Sequence, residues 1–291
     1  MNNMLEVVNL CKDYGRVKEK KDGSAFAVKN VSFAIPEGYI MGFIGPNGAG
    51  KTTVIKTILQ IKKQDEGQVQ FSGSNSDIGV VLDTLHFPGR WTLAQVEQAL
   101  SPFYKNWNRK KYKDYLDKFN LDGRKYNMVN ELSRGMQVKL QIAIALSHDA
   151  KLLILDEPTS GLDPVARDEV CEILREFIMD GKKSVLFSTH ITSDLEKAAD
   201  YITLILNGEI YYTGTKDGLI EKYKRITGGA GEITDEEKKL VIGFRNHGVG
   251  FEGLIETISV PKLPKTILSE PASLEEIIVF LNKEHKTQGG E

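Results

Sequence analysis

Residues 41–53 read MGFIGPNGAGKTT, and this stretch decides how the chain folds. A short apolar strand, MGFI, leads into a glycine-rich turn that matches the pattern G-x-x-x-x-G-K-[ST] at each fixed position. The glycines let successive backbone N–H groups face a phosphate, while Lys51 reaches its β and γ oxygens and the Thr52 hydroxyl can bind Mg²⁺. We therefore predict a nucleoside triphosphate site formed by Gly45, Asn47, Gly48, Ala49, Gly50, Lys51, Thr52 and Thr53.

A second run, LLILDE at residues 152–157, supports the same site independently. Burying an acid after four apolar residues is costly unless a cation or a polar group lies next to it. In α/β sheets, ligands bind at the C-terminal edge of the strands, where this acid would lie. Asp156 is therefore predicted to be a ligand of Mg²⁺, which prefers hard oxygen donors. Glu157 points the other way and is predicted to orient or deprotonate the water that attacks the γ-phosphate. A surface acid in a turn before proline is the ordinary alternative for Glu157.

Buried strands alternate with helices around these two motifs. LLILDE and SVLFSTH, residues 184–190, are typical of buried strands, and Asp163 is predicted to cap a helix that begins at Pro164. This alternation predicts a parallel α/β sheet, interrupted by a helical insert over residues 92–148. Before it, LEVVNL, AVKNVSFAI and GYIMGFIG predict an antiparallel or mixed N-terminal sheet within residues 4–45.

The sequence pattern weakens after residue 215. GGAGEITDEEKK, residues 228–239, has the composition of a linker. VIGFRN and LIETISV predict weak strands, and SLEEIIVFLNK predicts a closing helix.

The composition of the chain excludes several classes of protein. With 291 residues, 41% hydrophobic and 27% charged, it is typical of a globular protein with one large domain and an appendage, or two modest domains. A net charge of −2 gives no global attraction to nucleic acid or anionic lipid. We expect Cys11 and Cys171, which have neither metal-site nor redox spacing, to be reduced and buried. No apolar run reaches the eighteen residues that a membrane span needs.

A second anion site is predicted at ELSRGMQ, residues 131–137. Ser133 and Gly135 stand at the start of the helix-forming run KLQIAIALSH, and the first N–H groups of a helix have no internal partner. A simple helix cap is the alternative, and for an isolated motif it would be the better one.

Taken together, GPNGAGKTT, LSRGM, LLILDEPTSGLDP and the STH that ends in His190 resemble the ATP-binding subunits of ABC transporters over residues 4–215. The resemblance implies the P-loop NTPase fold of ABC ATPases, with a mixed N-terminal β-sheet, a parallel α/β core and an inserted helical subdomain at about 90–150. We expect an ATP-binding domain at 1–215, and at 216–291 a small α/β extension for dimerisation or regulation.

The resemblance also implies roles for individual residues. In that family two subunits lie head to tail, so Ser133 and the Gly135 N–H would contact the γ-phosphate of ATP bound by the other subunit. His190 would reach the γ-phosphate, and Asp163 would cross the dimer interface. Tyr14 would stack on adenine, although a surface tyrosine in a turn is the alternative. Lys51, Glu157 and His190 are thus the predicted catalytic residues.

Two of the motifs depart from the family pattern, at three positions. In place of the usual LSGGQ this chain has LSRGM, so Arg134 replaces the first glycine and Met136 replaces the glutamine. At the end of DIGVVL, Asp83 aligns with a glutamine that touches Mg²⁺ and the transmembrane partner. Aspartate still offers an oxygen, so the predicted metal ligands are Thr52, Asp83 and Asp156. The altered signature LSRGM and the altered loop at Asp83 resemble those of the ABC transporters that export drugs, antibiotics and antimicrobial peptides.

The predicted function is ATP hydrolysis that powers export, with ATP and Mg²⁺ as cofactors. The partners would be a separate membrane permease and a second ATP-binding subunit, with no nucleic acid, at the cytoplasmic face of the cell membrane. A soluble ABC-type ATPase acting on ribosomes or DNA is the rival, although this chain has one cassette and no long coiled-coil insertion. A catalytically silent subunit would not need Lys51, Asp156, Glu157 and His190. The basic, aromatic segment at 103–119 fits nucleic acid, but its spacing favours an amphipathic helix with a solvated face.

Overall fold

The computed structural model describes residues 2–15, 27–85, 87–124 and 128–288. In these ranges the strands are β1 Asn3–Asp13, β2 Ala27–Pro36, β3 Ile40–Ile44, β4 Glu66–Phe71, β5 Ile78–Val81, β6 Leu152–Asp156, β7 Ser184–Thr189, β8 Tyr201–Leu206, β9 Glu209–Thr215, β10 Tyr223–Gly229, β11 Val241–Asn246, β12 Gly250–Glu256 and β13 Leu268–Pro271. The α-helices are α1 Lys51–Ile58, α2 Leu93–Leu100, α3 Arg109–Lys118, α4 Arg134–Ser147, α5 Pro164–Ile178, α6 Thr192–Ala198, α7 Lys216–Lys222, α8 Asp235–Lys238 and α9 Leu274–Gln288. Short 3₁₀ helices lie at Asn75–Asp77, Ser101–Phe103, Asp122–Arg124, Val129–Glu131 and Thr257–Lys262.

A six-stranded sheet forms the centre of the molecule, in the order β5-β6-β7-β3-β8-β9. Its first five strands are parallel, and β9 pairs antiparallel with β8. The turn between these last two strands is Asn207–Gly208, both with positive φ, as a tight hairpin requires. The predicted parallel α/β core is confirmed.

Helices and a second sheet cover the two faces of this sheet. Leu155 and Phe187 point to one face and pack against α4, α5 and α6, whereas Ile154 and Leu186 point to the other and pack against α1 and the N-terminal sheet. Strands buried on both faces are mostly apolar, which explains why the first four residues of β6 are hydrophobic.

The N-terminal sheet differs from the prediction in one strand. It is antiparallel with the order β2-β1-β4, so Glu66–Phe71 supplies its third strand. The GYIMGFIG segment instead supplies β3, which lies between β7 and β8 in the central sheet. Its five residues are all buried, and this two-sided burial suits the middle of a parallel sheet rather than a half-exposed one.

The predicted helical insert lies between β5 and β6 and contains α2, α3 and α4. Thr92 caps α2, Asn108 caps α3 and Ser133 caps α4, each through a side-chain oxygen that accepts a backbone N–H. In α3 the apolar side chains of Tyr112 and Leu116 are buried while its lysines face solvent, so the amphipathic interpretation of this segment is confirmed.

The C-terminal residues form a four-stranded antiparallel sheet with the order β11-β12-β10-β13, and α9 packs on it. The prediction of a linker at residues 228–239 was wrong, because β10 runs to Gly229 and α8 begins at Asp235. In the turn between them Glu232 accepts the Gly229 N–H at 2.7 Å. Four apolar residues of α9 share one core with Leu195 of α6: Leu274, Ile277, Phe280 and Leu281. The division at residue 215 stays a prediction.

The cysteines only partly match expectation. Cys171 is buried, but Cys11, in the central strand β1 of the N-terminal sheet, is half-buried, and its Sγ donates to Asn30 Oδ1 at 3.5 Å. Across the described residues, no helix combines the length and the apolar character needed to cross a bilayer.

Replacing Phe187 with alanine tests the importance of the central strand. Phe187 is fully buried in β7, so we expect Phe187→Ala to lower the free energy of unfolding by about 3–5 kcal/mol in urea denaturation. The matched control is Phe103→Ala, which removes a side chain that is 80% exposed and should change stability by less than about 0.5 kcal/mol. Equal losses in the two variants would contradict this account of the core.

Candidate functional site

The glycine-rich turn joins β3 to α1 at the C-terminal edge of the central sheet. Gly48 and Gly50 have φ angles of 83° and 116°, in the left-handed region that favours glycine. A Cβ at Gly45 would lie 2.3 Å from the carbonyl oxygen of Ile205, so a larger residue does not fit there. Because the turn ends at the N-terminus of α1, its backbone N–H groups favour an anion.

Lys51 is the buried cation of this turn. Its side chain is 6% exposed, its Nζ donates to the carbonyl oxygen of Gly45 at 2.7 Å, and the same Nζ lies 3.2 Å from Glu157 Oε1. A buried ammonium group requires such partners. The turn and the end of β6 therefore face each other across a short distance, as the two sequence motifs predicted.

Asp156, the last residue of β6, is 2% exposed. Its Oδ1 accepts hydrogen bonds from Ser188 Oγ at 2.7 Å and from Thr52 Oγ1 at 3.3 Å. Burial raises the pKa of this carboxyl, and the two hydroxyl groups act in the opposite direction. Two of the three predicted metal ligands, Thr52 and Asp156, are thus in contact.

Sequence reasoning missed Ser188. It lies opposite Asp156 in the register of β6 and β7, and its Oγ accepts the Glu157 N–H at 3.0 Å while donating to Asp156. Its carbonyl oxygen accepts the same N–H at 3.1 Å. The available signal was a hydroxyl at the C-terminal end of a buried strand, two residues before His190.

Glu157 has a φ of 52°, an uncommon conformation for a residue with a side chain. Its carboxylate is 14% exposed and joins two predicted catalytic residues, since Oε2 lies 2.7 Å from His190 Nδ1 and Oε1 lies 3.2 Å from Lys51 Nζ. The backbone turn at Glu157 thus aims its carboxylate towards the phosphate loop. Lys51, Glu157 and His190 form one continuous line of contacts.

Ser133, Gly135 and Asp163 lie apart from this line of contacts. Within the described residues, no hydrogen bond or ion pair links them to Lys51, Thr52 or Glu157. Ser133 Oγ accepts the Met136 N–H at 3.3 Å as the cap of α4. Asp163 caps α5 through the N–H groups of Val165 and Ala166, each at 3.0 Å, and the Ala166 bond lowers the pKa of Asp163. The predicted cap at Asp163 is confirmed.

Gly135 has room for a side chain. A Cβ there would meet only Leu162 Cδ2, at an ordinary contact distance of 3.6 Å. Contacts within the chain therefore do not explain why this position is glycine, in contrast to Gly45.

Tyr14 lies beside the phosphate loop. Its hydroxyl donates to Thr53 Oγ1 at 3.4 Å, and Lys62 Nζ stands 5.3 Å from the centre of its ring. The aromatic ring is thus at the side of α1, next to the turn that precedes it.

Asp83 has a different partner from the one predicted. Its carboxylate Oδ1 accepts a hydrogen bond from Arg134 Nη2 at 2.7 Å, rather than meeting the hydroxyls around Asp156. Its role as a metal ligand therefore stays a prediction, and it would have to be compatible with this ion pair.

The arrangement can hold a polyphosphate and a divalent cation at one edge of the sheet. Among the described residues, no cluster of three or more His, Cys, Asp or Glu side chains forms a metal site. Thr52 and Asp156 supply two hard oxygens, which fits Mg²⁺, because that ion commonly takes its remaining ligands from phosphate and water.

Comparison with known proteins agrees with this geometry. The family model described as ABC transporter matches residues 28–160. An uncharacterised ABC transporter ATP-binding protein of Bacillus subtilis, YdbJ, is 33% identical over 66% of this chain and 65% of its own length. The bacitracin transport ATP-binding protein BcrA of Enterococcus faecalis is 30% identical over 72% of this chain and 68% of its own length. The lantibiotic transport ATP-binding protein SrtF of Streptococcus pyogenes is 32% identical over 74% of this chain and 92% of its own length.

A solved structure of the ATP-binding subunit of an ABC transporter superposes with a TM-score of 0.64 at 26% identity, over 74% of this chain and 91% of the other. The predicted ABC ATPase fold is thus confirmed by the similarity of the folded chains as well as by the motifs. The chain belongs to the family of ABC transporter ATP-binding proteins, which are ATPases.

Proposed function

We propose that this chain binds and hydrolyses Mg-ATP in a head-to-tail dimer and thereby powers export through a separate membrane permease. The observation that carries the proposal is the line of contacts from Lys51 through Glu157 to His190, beside the Thr52–Asp156 pair. Phosphoryl transfer requires a cation that binds phosphate, an acid that orients water and oxygens that bind a metal. These three kinds of group converge at one edge of the sheet.

Mg²⁺ suits the oxygens of Thr52 and Asp156. When bound, the ion would neutralise negative charge that develops on the β and γ oxygens. Ser188 and Thr52 donate to the same oxygen of Asp156 and so favour its ionised form, against the burial that raises its pKa. We leave Asp83, the third predicted ligand, out of the proposed Mg²⁺ site, because its Oδ1 accepts a hydrogen bond from Arg134.

Glu157 is the proposed general base. ATP entering the glycine-rich turn would draw Lys51 Nζ to its phosphate oxygens, and the Glu157 carboxylate would then be available to a water molecule. His190, 2.7 Å from the other carboxylate oxygen, would fix the direction of that carboxylate and donate towards the γ-phosphate.

A second subunit would complete the nucleotide site. Ser133 is exposed, and its hydroxyl keeps a proton to donate while accepting from Met136. Glycine at 135 is unexplained within the chain, but it would allow the phosphate of a neighbouring subunit to approach the N-terminus of α4. Asp163 is exposed near this surface and would meet the partner's loop. Tyr14, beside the phosphate loop, would stack on the adenine.

Export is favoured by the relatives that carry bacitracin transport and lantibiotic transport in their names. We propose that the permease docks in a groove of about 410 Å³ between the end of β5 and the helical subdomain, lined in part by Leu85, Phe87, Val129 and Asn130. This would hold the subunit at the cytoplasmic face of the membrane. Residues 216–291 would serve dimerisation or regulation.

The Glu157→Gln variant tests the general base. Because an amide cannot take the proton of the attacking water, we expect steady ATP hydrolysis to fall by at least about 100-fold, while an ATP-bound dimer accumulates in size-exclusion chromatography. Glu172→Gln, at an exposed position of α5, is the control and should hydrolyse ATP normally. Normal turnover by Glu157→Gln would remove Glu157 from this role.

The Ser133→Arg variant tests the contribution of the second subunit. The larger cationic side chain would fill the space meant for the partner's phosphate, whereas the monomer's own phosphate loop is unchanged. We expect Mg-ATP binding to the monomer to stay nearly intact and ATP-dependent dimerisation, measured by sedimentation in the Glu157→Gln background, to be lost. Gln98→Arg adds the same charge to an exposed site on α2 and should dimerise normally. Undiminished dimerisation of Ser133→Arg would contradict the head-to-tail site.

A further inference from the structure

Two of the three positions that depart from the family pattern, Asp83 and Arg134, contact each other. The guanidinium of Arg134 donates through Nη2 to Asp83 Oδ1 at 2.7 Å, and through Nη1 to the backbone carbonyl oxygen of the same residue. The two terminal nitrogens of one planar group thus donate to a single residue, which fixes the direction of the side chain better than a single contact does. The Arg134 side chain is 29% exposed and the Asp83 side chain is 60% exposed.

This ion pair links the central sheet to the helical subdomain. Asp83 follows β5, and Arg134 is the first residue of α4, directly after Ser133. A second clamp lies further along the same helix, where the side-chain amide of Gln141 accepts from Leu82 N at 3.0 Å and donates to Leu82 O at 3.2 Å. Two neighbouring residues of the core are therefore bonded to two places on α4.

The charges of the pair are matched to the helix end. A cation beside the N-terminus of α4 is unfavourable, because the helix dipole is positive there, and the Asp83 carboxylate offsets it. Removal of Asp83 alone would free the Arg134 side chain next to Ser133. Removal of Arg134 alone would leave an unpaired carboxylate near the surface that should receive a phosphate.

We propose that Arg134 and Asp83 act as one positioning device, which fixes the N-terminus of α4 so that Ser133 and Gly135 face the partner's γ-phosphate. This rests on the proposed head-to-tail dimer. It assigns Asp83 to Arg134 rather than to the metal, since Asp83 Oδ1 already accepts a hydrogen bond from Arg134. Neither residue needs to touch the nucleotide for the device to work.

A double-mutant cycle tests the pair. Asp83→Asn, Arg134→Gln, the double variant and the exchange D83R/R134D are made in full-length Glu157→Gln protein. Each is assayed for ATP-dependent dimerisation by sedimentation, for Mg²⁺-dependent ATP binding to the monomer, and for thermal unfolding. The control cycle uses Lys139→Gln and Glu169→Gln, an ion pair of 2.6 Å that joins α4 to its neighbour α5.

We expect each single substitution to weaken ATP-dependent dimerisation by about tenfold. The loss in the double variant should be about threefold to tenfold smaller than the product of the two single losses. The exchanged pair should recover part of the loss. Monomer ATP binding and the unfolding midpoint should stay near those of the parent, and the control cycle should show no coupling in dimerisation.

Three results would overturn the proposal. The first is independent effects of the two substitutions on dimerisation. The second is a reduced Mg²⁺ dependence of monomer binding in Asp83→Asn alone, which would make Asp83 a metal ligand. The third is coupling of equal size in the unfolding midpoint, which would make the pair a general stabilising contact. If the Glu157→Gln parent fails to dimerise with ATP, the proposed dimer fails and this inference fails with it.

Discussion

The interaction on which the rest of the site depends is the hydrogen bond from Ser188 to the buried carboxylate of Asp156. An acid at the end of an apolar strand is costly to bury, and the hydroxyls of Ser188 and Thr52 reduce that cost. The same serine holds the Glu157 N–H, so one side chain ties the ends of β6 and β7 together. Thr52 lies directly after the phosphate loop, so three separate segments of the chain meet at the Asp156 carboxylate: the loop, the end of β6 and the end of β7. The position of the base relative to the loop follows from them.

The site is complete on one side and open on the other. The half built from Lys51, Asp156, Glu157 and His190 is held by contacts within the chain. By contrast, Ser133 is exposed and Gly135 has space for a side chain that it lacks. An enzyme whose second half comes from another subunit can respond to ATP by changing its population of closed dimers, because the nucleotide favours only the state that contacts it from both sides.

Much of the fold could be predicted from the sequence, because phosphate loops, buried strands and helix caps are local signals. Asp163 caps its helix as predicted, and the parallel core has the predicted strands. The misses concern contacts between distant segments. Hydrophobic periodicity cannot tell which sheet a strand joins, so β3 was misplaced, and glycine-rich composition hid the end of β10. The Ser188 contacts and the pairing of Asp83 with Arg134 join residues 31 to 51 positions apart, which spacing alone does not reveal.

The packing of α9 against α6 has a consequence for the whole chain. The short helix that begins just after His190 is covered partly by side chains from near the C-terminus, such as Phe280. Residues 216–291 are therefore part of the packing of the ATP-binding domain, because their loss would expose apolar side chains of α6, the helix that follows His190. Proteolysis within this region, or a premature stop codon that shortens it, would therefore affect the ATP-hydrolysing site without changing any residue that binds ATP.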